Sequence, residues 1–234
     1  MRHFLTIIML AVLAVGNFST SAYGKTTSSN RSTTPATNKY GFYNVLNCPT
    51  SSSSIKATTE EKDDEGYNVN IYRGQTLAQT ILCEDVTSGD VHDFDANFDG
   101  NLDIIVGPAA SRNCSIILLW NEKDGKFEKM SETEGLNGNL LVNPKKKIIV
   151  SQASGSYCSE YYTKYIWQGN RLIPTETLIE ILDPKAYSEY GVKHRYTIIV
   201  GADEDNISSS KTLETDKKAK LPLEWRQIIN SYDF

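Results

Sequence analysis

The sequence predicts an all-β protein, and three observations carry that prediction. Short segments rich in Val, Ile, Tyr and Thr recur along the chain, several alternating apolar and polar residues as a half-buried strand does. Turn signals separate them: Asp124-Gly125, Asn137-Gly138 and Gly169-Asn170. No segment of normal helical length keeps a helical period before Leu223. Many short strands with regular turns fit a sandwich, a barrel or a propeller.

The chain opens with Arg2 and an apolar run from Phe4 to Val15, broken only by Thr6. Small residues follow at Ser19-Thr-Ser-Ala22 and at Gly24. This is the layout of a secretory signal peptide, too short to span a bilayer comfortably. Residues 1–24 are therefore expected to be a cleaved leader, with cleavage after Ala22 or Gly24. No Cys lies near either site, which argues against a lipid anchor. No later segment is apolar enough to cross a membrane, so a soluble exported protein, periplasmic or secreted, is expected. Residues 25–39 are rich in Ser, Thr and Asn and read as a flexible spacer. Residues 40–234 are expected to form one domain, a length sufficient for a full-sized core.

Within that domain, Tyr40 to Leu46 is the first segment able to join a core, and Ser51 to Ser54 is a polar joint. Strands take over from Ile55. Tyr67 to Tyr72 alternates apolar and polar residues, Arg73-Gly-Gln turns, and Thr76 to Leu82 returns. Val91 to Asp95 and Leu102 to Val106 flank a polar loop. Ser115 to Trp120 is apolar on both faces, as a central strand must be, and Phe127 to Met130 pairs back across the Asp124-Gly125 turn. Leu140 to Val142 and Lys147 to Val150 follow. Tyr157 to Trp167 is a long strand whose odd positions, Tyr157, Ser159, Tyr161, Thr163, Tyr165 and Trp167, put an aromatic stripe on one face, and Leu172 to Leu182 and Tyr196 to Val200 complete the set. After a polar stretch from Asp203 to Lys220, Leu223 to Ile229 reads as a short helix closing an edge.

The net charge of −5 becomes −6 when the leader takes Arg2 with it, which argues against a nucleic-acid partner. The one basic run, Lys145-Lys-Lys147, follows Pro144 and reads as an exposed edge. No G-x-S-x-G, H-E-x-x-H or phosphate-cradling glycine loop occurs, so no enzymatic activity is expected. His92 reads as an ordinary surface residue.

The most informative stretch is the loop Asp95-Ala-Asn97-Phe-Asp99-Gly100-Asn101-Leu-Asp103. Oxygen-bearing side chains occupy every second position through Asn101, a Gly follows the third, and Asp103 closes the run. A hard cation such as calcium takes six to eight oxygens. Asp95, Asn97, Asp99 and Asp103, with a carbonyl near Asn101, offer such a set, and Gly100 permits the sharp turn; the other reading is an Asx-rich β-turn with no metal. The twelfth residue from Asp95 is Val106 where an EF-hand needs a bidentate Glu, so the loop feeds a strand. It resembles the FG-GAP-type calcium loop of integrin-like β-propellers, D-x-N-x-D-G-x-x-D followed by an apolar strand. That resemblance implies a calcium-stabilised, degenerate propeller-like fold. At about 40 to 45 residues per blade the folded part would supply four to five blades.

A second motif, Ser154-Gly155-Ser156-Tyr157, precedes the long aromatic strand. The pattern S-G-x-Y is similar to the inhibitory loop of the periplasmic lysozyme inhibitors. With the calcium loop and the run Tyr161 to Leu172, it resembles a bacterial family of exported, calcium-binding, propeller-like proteins that protect cells against lysozyme-type effectors. The resemblance implies that Ser154 and Tyr157, on either side of Gly155, enter a muramidase cleft and occlude its carboxylates. An acidic inhibitor would associate faster with a basic lysozyme. The other reading is an FG-GAP-like adhesion or ligand-binding module without inhibitory activity.

Four cysteines, Cys48, Cys83, Cys114 and Cys158, lack any C-x-x-C spacing, so zinc is not expected. In an exported chain they suggest two disulfides with three possible pairings. Their order along the expected blades favours Cys48 with Cys83 and Cys114 with Cys158. Buried free thiols are the alternative.

Overall fold

The computed structural model describes residues 35–49, 55–62, 66–84, 86, 88–107, 115–130, 136, 139–155, 159–169, 171–182, 194–200 and 213–232, all within one unit that spans Ser32–Phe234. The expected leader and most of the spacer lie outside these residues. The described strands are β1 (Tyr43–Asn44), β2 (Ile55–Glu61), β3 (Tyr67–Arg73), β4 (Thr76–Cys83), β5 (Val91–Phe94), β6 (Asp103–Val106) and β7 (Ile116–Asn121). They continue as β8 (Lys126–Lys129), β9 (Asn139–Asn143), β10 (Ile148–Ser154), β11 (Ser159–Gln168), β12 (Arg171–Leu182), β13 (His194–Val200) and β14 (Leu213–Thr215). The chain then forms one α-helix, α1 (Leu223–Tyr232).

The strands pair antiparallel into three sheets: β2-β3-β4, β5-β6-β7-β8, and a seven-stranded sheet ordered β1-β9-β10-β11-β12-β13-β14. Apart from β1, every strand lies beside a sequence neighbour. Gly125, at a φ of 61°, makes the turn between β7 and β8 as the Asp-Gly signal predicts.

The four-stranded sheet is buried on both faces. Phe94, Ile105 and Ile117 on one face meet Leu140, Val142, Ile149, Tyr165 and Leu172 of the large sheet. On the other face Ile104, Val106, Ile116, Leu118 and Phe127 meet Ala57, Val69, Ile71 and Cys83 of the three-stranded sheet. This double burial is why β6 reads Asp-Ile-Ile-Val with every residue buried, and why the Ile116 to Leu118 run is apolar throughout. The far face of the large sheet, through Val150, Tyr162, Leu178, Tyr196 and Ile198, is covered by Trp225, Ile228 and Ile229 of α1.

The all-β architecture and the terminal helix are present, but the helix covers the outer face of the large sheet, where an edge position was expected. The four to five similar blades are absent: among the described residues no propeller or barrel closes, and the sheets have seven, three and four strands. The physical reason lies at the two ends of the stack. A ring closes when every sheet has two apolar faces to bury. Here α1 covers the outer face of the large sheet, and the three-stranded sheet turns Asn68 and Asn70 away from its buried Val69 and Ile71. Neither end needs a further sheet.

Helix α1 is fastened by a polar network. Lys164, only 8% exposed, donates to Glu176 at 2.7 Å and to Glu224 at 3.0 Å, and Trp225 Nε1 donates to Glu176 at 2.9 Å. Lys146, in the exposed turn before β10, reaches Glu224 at 2.8 Å, so one member of the basic run has a structural partner. Burial works against the Lys164 ammonium, but the hydrogen bonds to Glu176 and Glu224 outweigh it and raise its pKa. Replacing Lys164 by Met leaves two carboxylates without their shared cation. The expected cost is about 3 kcal/mol, read as a lower urea midpoint at unchanged m-value. A loss under about 0.5 kcal/mol, the range of an ordinary surface change, would show that the network does not hold the helix.

Candidate metal centre

The Asp95–Asp103 loop joins β5 to β6, so it projects from one end of the sheet that is buried on both faces. Alternation along the loop sorts its side chains. Ala96 is fully buried and Phe98 packs against the core between the two larger sheets, while Asp95, Asn97, Asp99 and Asn101 stay at least partly exposed. Phe98 takes a φ of 61°, a left-handed conformation that bulky residues avoid. Its packing into the core holds it there. Gly100 has a φ of 90°, which explains the glycine the sequence places at that turn.

A lattice of side-chain-to-backbone bonds shapes the loop. Asp95 accepts from the amides of Asp99 (3.1 Å) and Gly100 (3.0 Å). Asn97 Oδ1 accepts from Asp99 N at 3.1 Å, and Asp99 Oδ1 accepts from Asn101 N at 2.7 Å. Asn97 Nδ2 donates to Asp99 Oδ2 at 2.9 Å. Asp103 is fully buried and accepts from Ala96 N and, across the sheet, from Trp120 N, both at 2.8 Å. The Ala96 carbonyl in turn accepts from Trp167 Nε1 of β11 at 2.7 Å.

The carboxylates feel one another. Burial pushes the Asp103 carboxyl up to about 7 against the opposing pull of the Trp120 and Ala96 amides, and the charges of Asp99 and Asp95 add to the rise. Asp95 is also raised, first by burial and then by Asp99, despite its amide bonds. Excess negative charge is thus concentrated at one loop, which a cation would relieve. The donor types and their alternation fit a hard cation, with Asp95, Asn97, Asp99, Asp103 and the backbone near Asn101 as the residues that would hold it. Each carboxylate oxygen has two lone pairs, and one amide bond uses only one of them. Among the described residues, however, no three His, Cys, Asp or Glu side chains stand together at metal-ligating separations. The acidic side chains are turned toward loop amides and would have to swing inward to share an ion.

The second sequence motif falls at the far end of β10. Ser154 Oγ donates to Glu160 at 2.8 Å, and Gly155 N donates to Ser159 O at 2.9 Å across the hairpin. A Cβ on Gly155 would lie 2.3 Å from the Tyr161 ring and 2.6 Å from Ser159 Oγ, so a larger residue would have to displace both side chains. Ser156, Tyr157 and Cys158 lie outside the described residues, as does Cys114.

Cys48 and Cys83 are both buried free thiols, so the expected Cys48–Cys83 bridge is not formed. They belong to different packing layers: Cys48 sits in the core between the two larger sheets and Cys83 in the core beneath the three-stranded sheet. Burial pushes the Cys48 thiol up to about 12, aided by Asp93, and the Cys83 thiol up to about 11 against the pull of Lys129, so both stay protonated. His92 is half-buried, and its Nδ1 meets the Cys48 carbonyl at 2.9 Å, which gives it a structural partner in place of the expected free surface position.

Sequence reasoning missed the supports of the loop. Trp120 and Trp167 approach it from distant strands, and nothing local signals either contact. Ala96 and Phe98 could have been found, because small or apolar residues at alternate positions in an acidic loop must go somewhere dry. A cavity of about 310 Å³ between β3–β4 and the β7–β8 hairpin also escaped notice. It is lined by Ile71, Arg73, Gln79, Trp120, Asp124 and Phe127, among others.

No family model and no curated protein matches this chain. A solved structure of a Xanthomonas type IV secretion system related protein is similar over 77% of this chain and 97% of that one, at 13% identity and a TM-score of 0.44. That likeness is too loose to assign a shared fold. No described helix is long and apolar enough to cross a membrane.

The Asp103 pKa has a direct consequence. Its folded value lies above its unfolded one, so its contribution to stability is full below about pH 4 and is lost as the pH rises through about 7. In chelator, the urea midpoint of the wild type should therefore fall between pH 4 and 8. The Asp103→Asn variant, which cannot titrate there, should start less stable, because its amide turns a donor toward Ala96 N or Trp120 N. It should also show a flatter pH dependence. Parallel curves for the two proteins would refute the assignment.

Proposed function

We propose that this is an exported binding protein, periplasmic or secreted, whose Asp95–Asp103 loop takes calcium. We further propose that its β10–β11 hairpin blocks the cleft of a lysozyme-type muramidase. The observation that carries the reading is the placement of Ser154 and Gly155 at the end of β10, where Gly155 N closes on Ser159 O at 2.9 Å and the Tyr161 ring packs close to Gly155. Tyr157, two residues further along the sequence, supplies the rigid amphipathic ring suited to recognition. Inhibition then needs no chemistry from this chain. Hydroxyls of Ser154 and Tyr157 inserted between the two carboxylates of a muramidase would bond to them and exclude the sugar. The net negative charge of the chain would speed encounter with a basic enzyme.

Calcium, when bound, neutralises the carboxylates of the loop. The chain's own part is to hold Asp95, Asn97, Asp99, Asn101 and Asp103 on one short path between two strands of its best-buried sheet. The second reading, an FG-GAP-like ligand-binding module without inhibitory activity, draws on the cavity between β3–β4 and the β7–β8 hairpin, which lies on other elements than the tip.

Two measurements test the proposal. Melting temperature should rise with free calcium by mass action, by about 2.7 kcal/mol of stability at a hundredfold excess over Kd. Asp99→Ala should remove most of that rise, and an identical melting curve in chelator and in calcium rejects the metal. Purified protein should also inhibit at least one member of a panel of muramidases, and Tyr157→Ala should weaken that inhibition at least tenfold. Equal inhibition by the variant would reject the hairpin. Absence of inhibition across the panel would favour the ligand-binding module.

A further inference from the structure

The cavity between β3–β4 and the β7–β8 hairpin has an apolar wall and a polar rim. Ile71 and Phe127 are almost fully buried, and Trp120 meets Phe127 edge-on with ring centroids 5.1 Å apart. Arg73, Asp124 and Lys126 are exposed at the rim, and Gln79 is half-buried. Two of these polar groups are already fixed by the protein. Gln79 donates to the Phe127 carbonyl at 2.7 Å and accepts from the Phe127 amide at 3.0 Å. Arg73 donates to the Gly125 carbonyl, with its guanidinium 5.7 Å from the Trp120 ring centroid. A ligand that meets them has little left to order.

Bonding capacity remains in the fixed groups. The Gln79 amide keeps a second N–H and its oxygen a second lone pair. Asp124 accepts from Asn121 through Oδ2, and its Oδ1 has no hydrogen-bond partner among the described residues. The charges then select the ligand. Arg73 and Lys126 share the rim with Asp124, so a carboxylate or an ammonium meets its own sign there. A hydroxyl both donates and accepts, and suits either sign. A sugar ring, with apolar C–H faces and a hydroxyl edge, matches an aromatic wall below a rim of spare donors and acceptors. At about 310 Å³ the cavity lies at the low end of the roughly 300–1,000 Å³ of ligand pockets, which suits a small saccharide.

We propose that this cavity binds a neutral saccharide unit, its ring against the Trp120 wall and its hydroxyls on Asp124 Oδ1 and the spare N–H of Gln79. The inference rests on the ligand-binding reading above and gives it a ligand class. It needs neither muramidase inhibition nor calcium, because the site lies on other elements than the β10–β11 hairpin and the acidic loop.

The test is a titration of protein labelled with 5-fluorotryptophan, which carries one label each at Trp120, Trp167 and Trp225. The probes are glucose, N-acetylglucosamine and their β-1,4-linked disaccharides, with benzoate and benzylammonium as charged rings. At least one neutral sugar should shift the Trp120 resonance saturably, with a Kd in the millimolar range, and leave the other two in place. Ala78→Phe, at an exposed β4 position lining the cavity, fills the space and should raise that Kd at least about tenfold. Thr80→Phe puts the same ring on the same strand outside the lining and should bind as the wild type does. Asp124→Asn keeps an Asx-Gly turn and removes the carboxylate, and should weaken binding about tenfold. Equal affinity in Ala78→Phe and Thr80→Phe overturns the proposal. Should Ala78→Phe not fold, unchanged affinity in Asp124→Asn overturns it instead. Binding of a charged ring alone overturns the saccharide class and leaves the ligand-binding reading standing. No shift with any probe overturns both.

Discussion

The fold depends on one constraint, that the four-stranded sheet is buried on both faces. Its strands carry apolar side chains up and down, and each face is matched by a sheet of a different size. Removing either neighbour would bare a continuous apolar surface, which monomeric proteins rarely expose. The order of layers, from α1 through the large and middle sheets to the three-stranded sheet, follows from this. So does the placement of the acidic loop, which joins β5 to β6 of the best-buried sheet and therefore stands on a rigid base.

Polar contacts fix how the layers meet. Gln79 on β4 donates to the Phe127 carbonyl at 2.7 Å and accepts from its amide at 3.0 Å, so one side chain pairs with the edge strand β8 as a neighbouring strand would. An open edge is thereby partly satisfied. Arg73 spans the same junction, donating to Gly125 O with its guanidinium over the Trp120 ring. At the other end of the stack, Lys164 ties α1 to β11 and β12 through Glu224 and Glu176. Trp167 and Trp120 do the corresponding work at the loop. These groups are few and directional, and they set register where apolar contact alone would allow sliding.

The loop itself combines two tendencies that oppose each other. Its backbone is well satisfied without any ion, through amide bonds to Asp95, Asn97, Asp99 and Asp103. Its charges are not, since burial and mutual repulsion push Asp95 and Asp103 toward the protonated form. A loop of this kind keeps its shape while carrying an electrostatic load, and pH and divalent cations become the natural variables that act on it.

Much of this was legible locally. Strand alternation located β3, and continuous apolar runs located β6 and β7, because side-chain period and burial are set by nearest neighbours along the chain. The Asp-Gly turn, the Gly100 bend and the terminal helix were legible for the same reason, being short-range backbone chemistry. The partition of strands into sheets was not, since a hairpin signal pairs two strands and says nothing of which sheets then stack. The free thiols at Cys48 and Cys83 follow from that partition, which puts them in separate layers. Sequence by itself determined an all-β chain with one acidic loop between two buried strands. Only the tertiary structure decided that Asp103 would be a buried acceptor for two amides, that Phe98 would be held left-handed, and that a tryptophan 71 residues away would hold Ala96, because each of these needs surfaces brought together from distant parts of the chain.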